Sequence, residues 1–319
     1  MSPPTETPAR EPAPAESAPP PVVAPGAVEE TPLRRIAADF AESRLAVAGL
    51  ALFLAILAVA ATAPLISPQN PYDLAQLDVL DSRLEPGARS GDGKQTFWLG
   101  TDDQGRDMLS AIFYGLRISL GVGVAATLGA LALGLTLGLL AAFLGGRADT
   151  FIMRVADIQL SFPAILIALV LLALLGQGVD KIIVALIAVQ WAYYARTVRG
   201  AALVERSKEY IEAATCLALP ARRIVFRHLL PNCLPPVIVV ATVQVAAAIT
   251  LEATLSFLGL GLPITEPSLG LLIANGFTYL LSGKYWISFF PGVALLATIV
   301  SINLVGDQLR DVLNPRLQR

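Results

Sequence analysis

Apolar residues along this chain run in long blocks, interrupted by compact polar stretches, from residue 44 to residue 308. A helix needs about 20 consecutive apolar residues to cross a hydrocarbon core about 30 Å thick. Runs near 44–67, 117–143, 161–177, 181–201, 234–259 and 288–308 approach or exceed that length. The pattern predicts an all-α polytopic membrane protein with six transmembrane helices. The connections near 144–152 and 177–181 are short, whereas 68–116, 202–233 and 260–287 are long and polar by comparison.

Composition agrees with that reading. The 319 residues are 55% hydrophobic and 15% charged, against about a quarter charged in soluble domains. Residues 1–32 differ from the rest, being rich in Pro, Ala and Glu with few large apolar side chains. Such a segment buries too little surface to offset its ordering entropy, and it reads as a disordered spacer. Residues 33–67 then hold the N-terminal segment and the first span. Ala61-Thr62-Ala63 resembles a signal-peptidase site, but the run and its leader are too long for a signal peptide, so an uncleaved anchor is expected. A polar segment at 68–116, a five-helix core at 117–308 and a tail at 309–319 complete the expected division.

Lys and Arg near the span ends set orientation. With the N-terminus inside, the 202–233 connection places Arg206, Lys208, Arg222, Arg223 and Arg227 in the cytoplasm, and Arg34, Arg35, Arg147, Arg154 and Arg310 join them. The opposite side keeps Arg83, Arg89, Lys94, Arg106, Lys181 and Lys284. The asymmetry predicts both termini in the cytoplasm. Cys216 and Cys233 then fall in one cytoplasmic segment, which argues for two small apolar fillers and against a structural disulfide. A net charge of −2 offers no argument for nucleic acid.

Several chemistries lack their residues. With one histidine, neither an HExxH zinc site nor a Ser-His-Asp triad is supported. The Gly283-Lys284 pair has Thr278 where the first glycine of a phosphate-binding loop belongs. No catalytic residue and no metal ligand set is assigned. Gly134 and Gly138 form a GxxxG that suits close helix packing. Among charges near the spans, Glu252 is the candidate pathway residue, with hydrogen-bonded packing as the alternative. Asp157 and Asp307 sit near span ends, where pairing with Arg154 or Arg310 is expected.

The segment YIEAATCLALPARRIVFRHLLPN, residues 210–232, is an amphipathic piece between two spans. Ala213 and Ala214 remove side-chain bulk so that a partner's groove can close on the backbone, and Glu209 and Glu212 can meet cations there. Beyond Pro220, Arg222 and Arg223 lie on a second helical piece. A helix resting on anionic lipid is the competing reading.

Glu212-Ala213-Ala214 followed by a proline-broken basic helix and Leu230-Pro231-Asn232 resembles the cytoplasmic coupling loop of ATP-binding-cassette importer permeases. The likeness extends over 34–319. LGTDDQGRDMLSAIFYGLRISL (99–120) is similar to the extracytoplasmic signature of the second, C-type permease of the dipeptide, oligopeptide and nickel subfamily, and MRVADIQLSFP, WAYYARTVRG, LSFLGLG and NLVGDQLRDVLNPR match further blocks in order. Two departures stand out. Ala218 occupies a position usually held by glycine, so the bend between the two helical pieces is expected to differ. Leu269 replaces a common tryptophan, which puts receptor contacts or the outer rim in doubt.

The resemblance implies a type I importer permease fold and half of a transmembrane pore. A second homologous permease would supply the other half. Two P-loop ATPase subunits, alike or different, would dock on the coupling loop, using ATP and Mg that this chain does not bind. An extracytoplasmic binding protein would deliver peptide, and lipid would surround the assembly in a bacterial inner membrane. Glu209, Glu212, Ala213, Ala214, Ala218, Arg222 and Arg223 would serve coupling. Gly100, Asp102, Gly105, Arg106 and Asp107 would shape the outer loop on the receptor side, by internal Asp–Arg pairing or by substrate contact, and Gly259 and Gly261 would end a span. Dipeptide or oligopeptide is the expected cargo, with nickel complexes or other small solutes as alternatives within the family. An ion-driven carrier relying on Glu252 or Asp157, or a membrane scaffold, are the readings from other classes.

Overall fold

The computed structural model describes residues 32–73 and 76–313. The expected spacer at 1–32 and the end of the C-terminal tail therefore lie almost wholly outside the described residues. Among the described residues eleven α-helices follow one another: α1 Pro32–Glu42, α2 Arg44–Ile66, α3 Met108–Leu144, α4 Gly146–Leu160, α5 Ala164–Leu175, α6 Val179–Arg206, α7 Glu209–Cys216, α8 Ala221–Arg223, α9 Leu230–Phe257, α10 Leu269–Phe277 and α11 Trp286–Val312. A small antiparallel hairpin, β1 Ala88–Arg89 and β2 Thr96–Phe97, interrupts the long segment between α2 and α3.

Local chemistry sets several boundaries. Ser43 caps α2 by accepting from Ala46 N–H, and Ser268 caps α10 by accepting from Leu271 N–H. Asp107 caps α3, its carboxylate accepting from both the backbone and the hydroxyl of Ser110. That cap starts α3 nine residues before the expected span, so the end of the 68–116 segment is helix. Gly259 ends α9 at φ 77°, where Gly259 N–H reaches Ser256 C=O and Leu260 N–H reaches Leu255 C=O. These are the paired bonds of a Schellman motif, and glycine supplies its left-handed residue without strain.

Between α8 and α9 the chain forms a π-helical turn, Ile224–Leu229, in which Leu230 N–H donates to Val225 C=O. Pro231 cannot donate to Arg227, and in α geometry its ring would press on that carbonyl. Widening the turn by one residue relieves the clash and keeps the axis continuous, so 221–257 behaves as one long helix.

Among the described residues four helices are long and apolar enough to cross a membrane: α2, α3, the 221–257 helix and α11. A fifth span exists only if α4 and α5, bent by 93° at their break, count together. The count of six is thus not reached by length and composition. The expected span at 161–177 is reduced to α5, whose 12 residues reach about 18 Å, short of the hydrocarbon core. Ser161-Phe162-Pro163 breaks it from α4. Helix α6 has 28 residues, but Gln190, Arg196 and Arg199 dilute its apolar run.

The centre of the bundle is a trio, α3, α6 and α9. Helices α3 and α6 share the most extensive contact, because Gly134 and Gly138 let the backbones meet. A Cβ at Gly134 would stand 2.5 Å from Trp191 C=O, and one at Gly138 2.6 Å from Ala195 C=O. Helices α2, α10 and α11 close one side of the trio through Met108, Ile112, Leu269 and Trp286, and α5 closes another through Ala168 and Leu172. The end carrying residues 68–107 is termed outer and the end carrying 207–229 inner, as labels of position.

Candidate functional site

The inner end gathers the segment that the sequence singled out. Helix α7 follows α6 after a two-residue break and carries Glu209 and Glu212 in its first turn, where carboxylates complement unpaired backbone N–H groups. Glu209, Glu212, Ala213, Ala218, Arg222 and Arg223 are all exposed. Ala214 is not: it is 4% exposed and packs with Ile211, Ile224, Leu229 and Phe143. Its small side chain lets α7 settle on the segment behind it, which corrects its assignment to a docking surface.

Ala218 adopts φ 51°. Ala218 N–H donates to Thr215 C=O at 2.9 Å and Leu219 N–H to Ala214 C=O at 3.2 Å, completing a second Schellman motif. Alanine thus takes up the left-handed geometry that it was expected to resist. The chain makes the left-handed turn with alanine and carries a strain of about 1–2 kcal/mol that glycine would avoid. Leu219 packs onto the same cluster as Ala214, supplying the apolar contact that accompanies this cap.

Sequence reasoning missed how α7 is anchored. Tyr210 donates its hydroxyl hydrogen to Glu205 Oε2 at 2.6 Å and accepts from Asn232 Nδ2 at 3.0 Å. Asn232 also donates to His228 C=O, and Lys208 pairs with Glu205 at 2.6 Å. One phenol thus joins the ends of α6 and α9. Burial and the adjacent Glu205 carboxylate push the Tyr210 hydroxyl up to about 12, so it remains a donor. Arg206 donates to the Ala142 and Phe143 carbonyls, capping the C-terminus of α3. The Leu230-Pro231-Asn232 block was a visible signal for Asn232, whereas nothing in the sequence marked Arg206.

The outer turn is built differently. Arg106 Nε lies 2.6 Å from Asp102 Oδ2, and the two side chains are 1% and 0% exposed. Asp102 Oδ1 also accepts from the Gln104 and Arg106 backbone N–H groups, and Arg106 Nη1 donates to Ile264 C=O. Gly100 and Gly105 take φ 79° and 77°, and a Cβ at Gly105 would collide with Asp78 C=O. Thr101 accepts from Leu84 N–H and donates to Asp81 C=O, while Asp107 N–H donates to Gln69 Oε1. Burial pushes the Asp103 and Asp107 carboxyls upward. These residues knit the turn internally and present no charged side chain of Asp102, Arg106 or Asp107 to a substrate.

Two further expectations change. Leu269, the first residue of α10, is fully buried against α3, with Cδ2 3.2 Å from where a Cβ on Gly115 would lie, so it is core and no part of an outer rim. Glu252 is 0% exposed and accepts from Ser119 and Ser256, each at 2.8 Å. Both carboxylate oxygens are engaged between α3 and α9, the hydrogen-bonded packing that stood as the alternative to a pathway role. Asp157 pairs with Arg196 on α6 in place of the expected Arg154, and Asp149 pairs with Arg199, fastening α4 along α6. No group of three or more metal-ligating side chains occurs among the described residues.

Residues 134–319 match the family described as binding-protein-dependent transport system inner membrane component, and residues 31–86 match the N-terminal TM domain of oligopeptide transport permease C. The chain is 36% identical to the di/tripeptide transport system permease protein DppC of Pseudomonas aeruginosa (strain UCBPP-PA14), over 92% of this chain and 95% of that one. It is 37% identical to the dipeptide transport system permease protein DppC of Bacillus subtilis (strain 168), over 87% and 84%. The oligopeptide transport system permease protein OppC of that organism is 36% identical over 88% of each. Among solved structures, an inward-facing form of the MetNI methionine ABC transporter superposes with a TM-score of 0.53 at 21% identity, covering 65% of this chain and 98% of that one. The likeness is one of fold, that of a type I importer permease. This chain belongs to the family of binding-protein-dependent transport system inner membrane components.

Proposed function

We propose that this chain is one permease subunit of an ATP-driven importer for dipeptides or oligopeptides, and that α7 is where ATP-driven motion enters it. The observation that carries the coupling role is the inner end itself. A short helix exposes Glu209, Glu212 and Ala213 outward, while its buried face and its tyrosine are tied to α3, α6 and α9. A body docking on the exposed face would move the ends of all three central helices together. The peptide cargo is supported by the names of the relatives quoted above.

In this reading the chain catalyses no reaction and binds no cofactor of its own. ATP and Mg are used by two P-loop ATPase subunits that dock on α7 and its neighbourhood. A second, homologous permease forms the other half of the pathway, and an extracytoplasmic binding protein delivers the peptide. The protein spans a bacterial inner membrane with both termini in the cytoplasm, which places the outer turn on the receptor side.

The test is uptake by the reconstituted assembly. Vesicles loaded with ATP should accumulate a labelled dipeptide, an ionophore that collapses ion gradients should leave uptake intact, and Glu212→Ala should abolish it. Uptake that needs no ATP and stops with the ionophore would refute the reading in favour of an ion-driven carrier.

A further inference from the structure

A groove of about 280 Å³ runs between the inner turns of α3 and the segment leading into α9, walled by Leu139, Leu140, Phe143, Val225, Phe226 and Leu230. Its polar side chains are Thr136, whose hydroxyl already donates to Ala132 C=O, and Arg222. The groove is therefore dressed for hydrocarbon along its length and for an anion at one end. A second hollow, about 450 Å³, shares Arg222 and Phe226 with it and adds Arg223 and Pro220.

Like Arg227 on the same segment, Arg222 and Arg223 lack an ion pair among the described residues, and these two line the hollows. At this end Arg196, Arg199 and Lys208 are each paired with a carboxylate, and Arg206 is spent on the α3 carbonyls. Arg222 and Arg223 are exposed and make no ion pair among the described residues. The groove also sits beside the last turns of α3, a helix long and apolar enough to cross a membrane. Apolar walls continuous with a cationic rim match a phospholipid better than a free anion, which has no use for the walls.

We propose that this composite groove binds one anionic phospholipid, an acyl chain lying between α3 and the 221–230 segment and its phosphate on Arg222 and Arg223. The inference rests on the preceding reading only in taking the inner end as the cytoplasmic face. It assigns the two arginines to lipid and leaves Glu209, Glu212 and Ala213 to the ATPase. A lipid so placed would brace α8 against α3 and hold α7, which packs on the same turn, at a set depth.

The test is native mass spectrometry of the purified, delipidated full complex, titrated with phosphatidylglycerol and with phosphatidylcholine of the same chains. Phosphatidylglycerol should bind preferentially. Changing Arg222→Gln or Arg223→Gln should weaken it about fivefold each, and the pair about 25-fold. Leu140→Trp, at an exposed wall position, should also expel the lipid while leaving the melting temperature and both arginines intact. Glycerol phosphate, the headgroup without chains, should not bind. Unchanged lipid selectivity in the double variant, or equal binding of glycerol phosphate, would overturn the proposal. So would loss of the ATPases from the double variant with its lipid retained, which would assign the arginines to a protein partner. A preparation with no ATPase at all would refute the importer reading, while lipid binding by the chain would still stand or fall on the same titration.

Discussion

At the outer turn Arg106 and Asp102 face each other at 2.6 Å, shut away from solvent, and glycines take positive φ at 100 and 105, with Arg83 alongside at φ 58°. At the inner segment Glu209, Glu212, Arg222 and Arg223 stand in the open, and an alanine holds the left-handed position. Both regions were marked by charge and small residues in the sequence. The outer one spends them on itself, satisfying its own backbone and fixing the start of α3. The inner one leaves them unspent, and it tolerates strain at the bend behind them. A charged motif that is buried and internally bonded is part of the fold, whereas one that is exposed on a well-anchored short helix is available to a partner.

The sharpest way to break that contrast is at the buried pair. Asp102→Ala leaves Arg106 charged and sealed, and should cost about 3–5 kcal/mol; thermal unfolding in detergent should show it, whereas Glu212→Ala should stay within about 0.5 kcal/mol. If the two substitutions destabilise equally, the division between fold and coupling fails. Gly105→Ala should cost about 1–3 kcal/mol, since the residue is strained at φ 77° and its Cβ meets Asp78. A melting curve matching wild type would mean that the turn can shift to accept it.

Smaller effects sharpen the inner side. Tyr210→Phe removes two hydrogen bonds that join α7 to α6 and α9, and should cost about 1–3 kcal/mol at most. Its larger consequence is functional: peptide accumulated per ATP hydrolysed should fall although the ATPases stay bound. An unchanged ratio would mean that the clamp transmits nothing. Ala218→Gly should stabilise by about 1 kcal/mol by relieving the left-handed alanine, partly offset by glycine's greater unfolded freedom. A destabilised variant would show that the bend is unstrained.

Much of this was legible from hydropathy, because long apolar runs leave helix as almost the only way to satisfy the backbone in lipid. The GxxxG at Gly134 and Gly138 and the end of α9 at Gly259 were legible for the same kind of local reason. What stayed hidden depended on partners far away in the chain. Glu252 looked like a pathway residue because a carboxylate in an apolar run is costly, and only folding brings Ser119 to it across 133 positions. Leu269 looked peripheral because its segment is a connection, yet that segment folds back between α3 and α9. The split of one apolar run into α4 and α5 turns on three residues, Ser161-Phe162-Pro163, which a hydropathy window averages away. Ala214 and Ala213 are adjacent and alike, and only the helix phase decides which of them faces inward.

The most direct test of the central claim is the company this chain keeps. It should be solubilised in mild detergent, purified by a tag, and its co-purifying chains identified with their stoichiometry. The account predicts one homologous permease and two P-loop ATPases, lost on changing Glu212 and Ala213 to bulky residues but kept in a variant of the outer hairpin. A stable lone chain or homodimer without ATPase would contradict it.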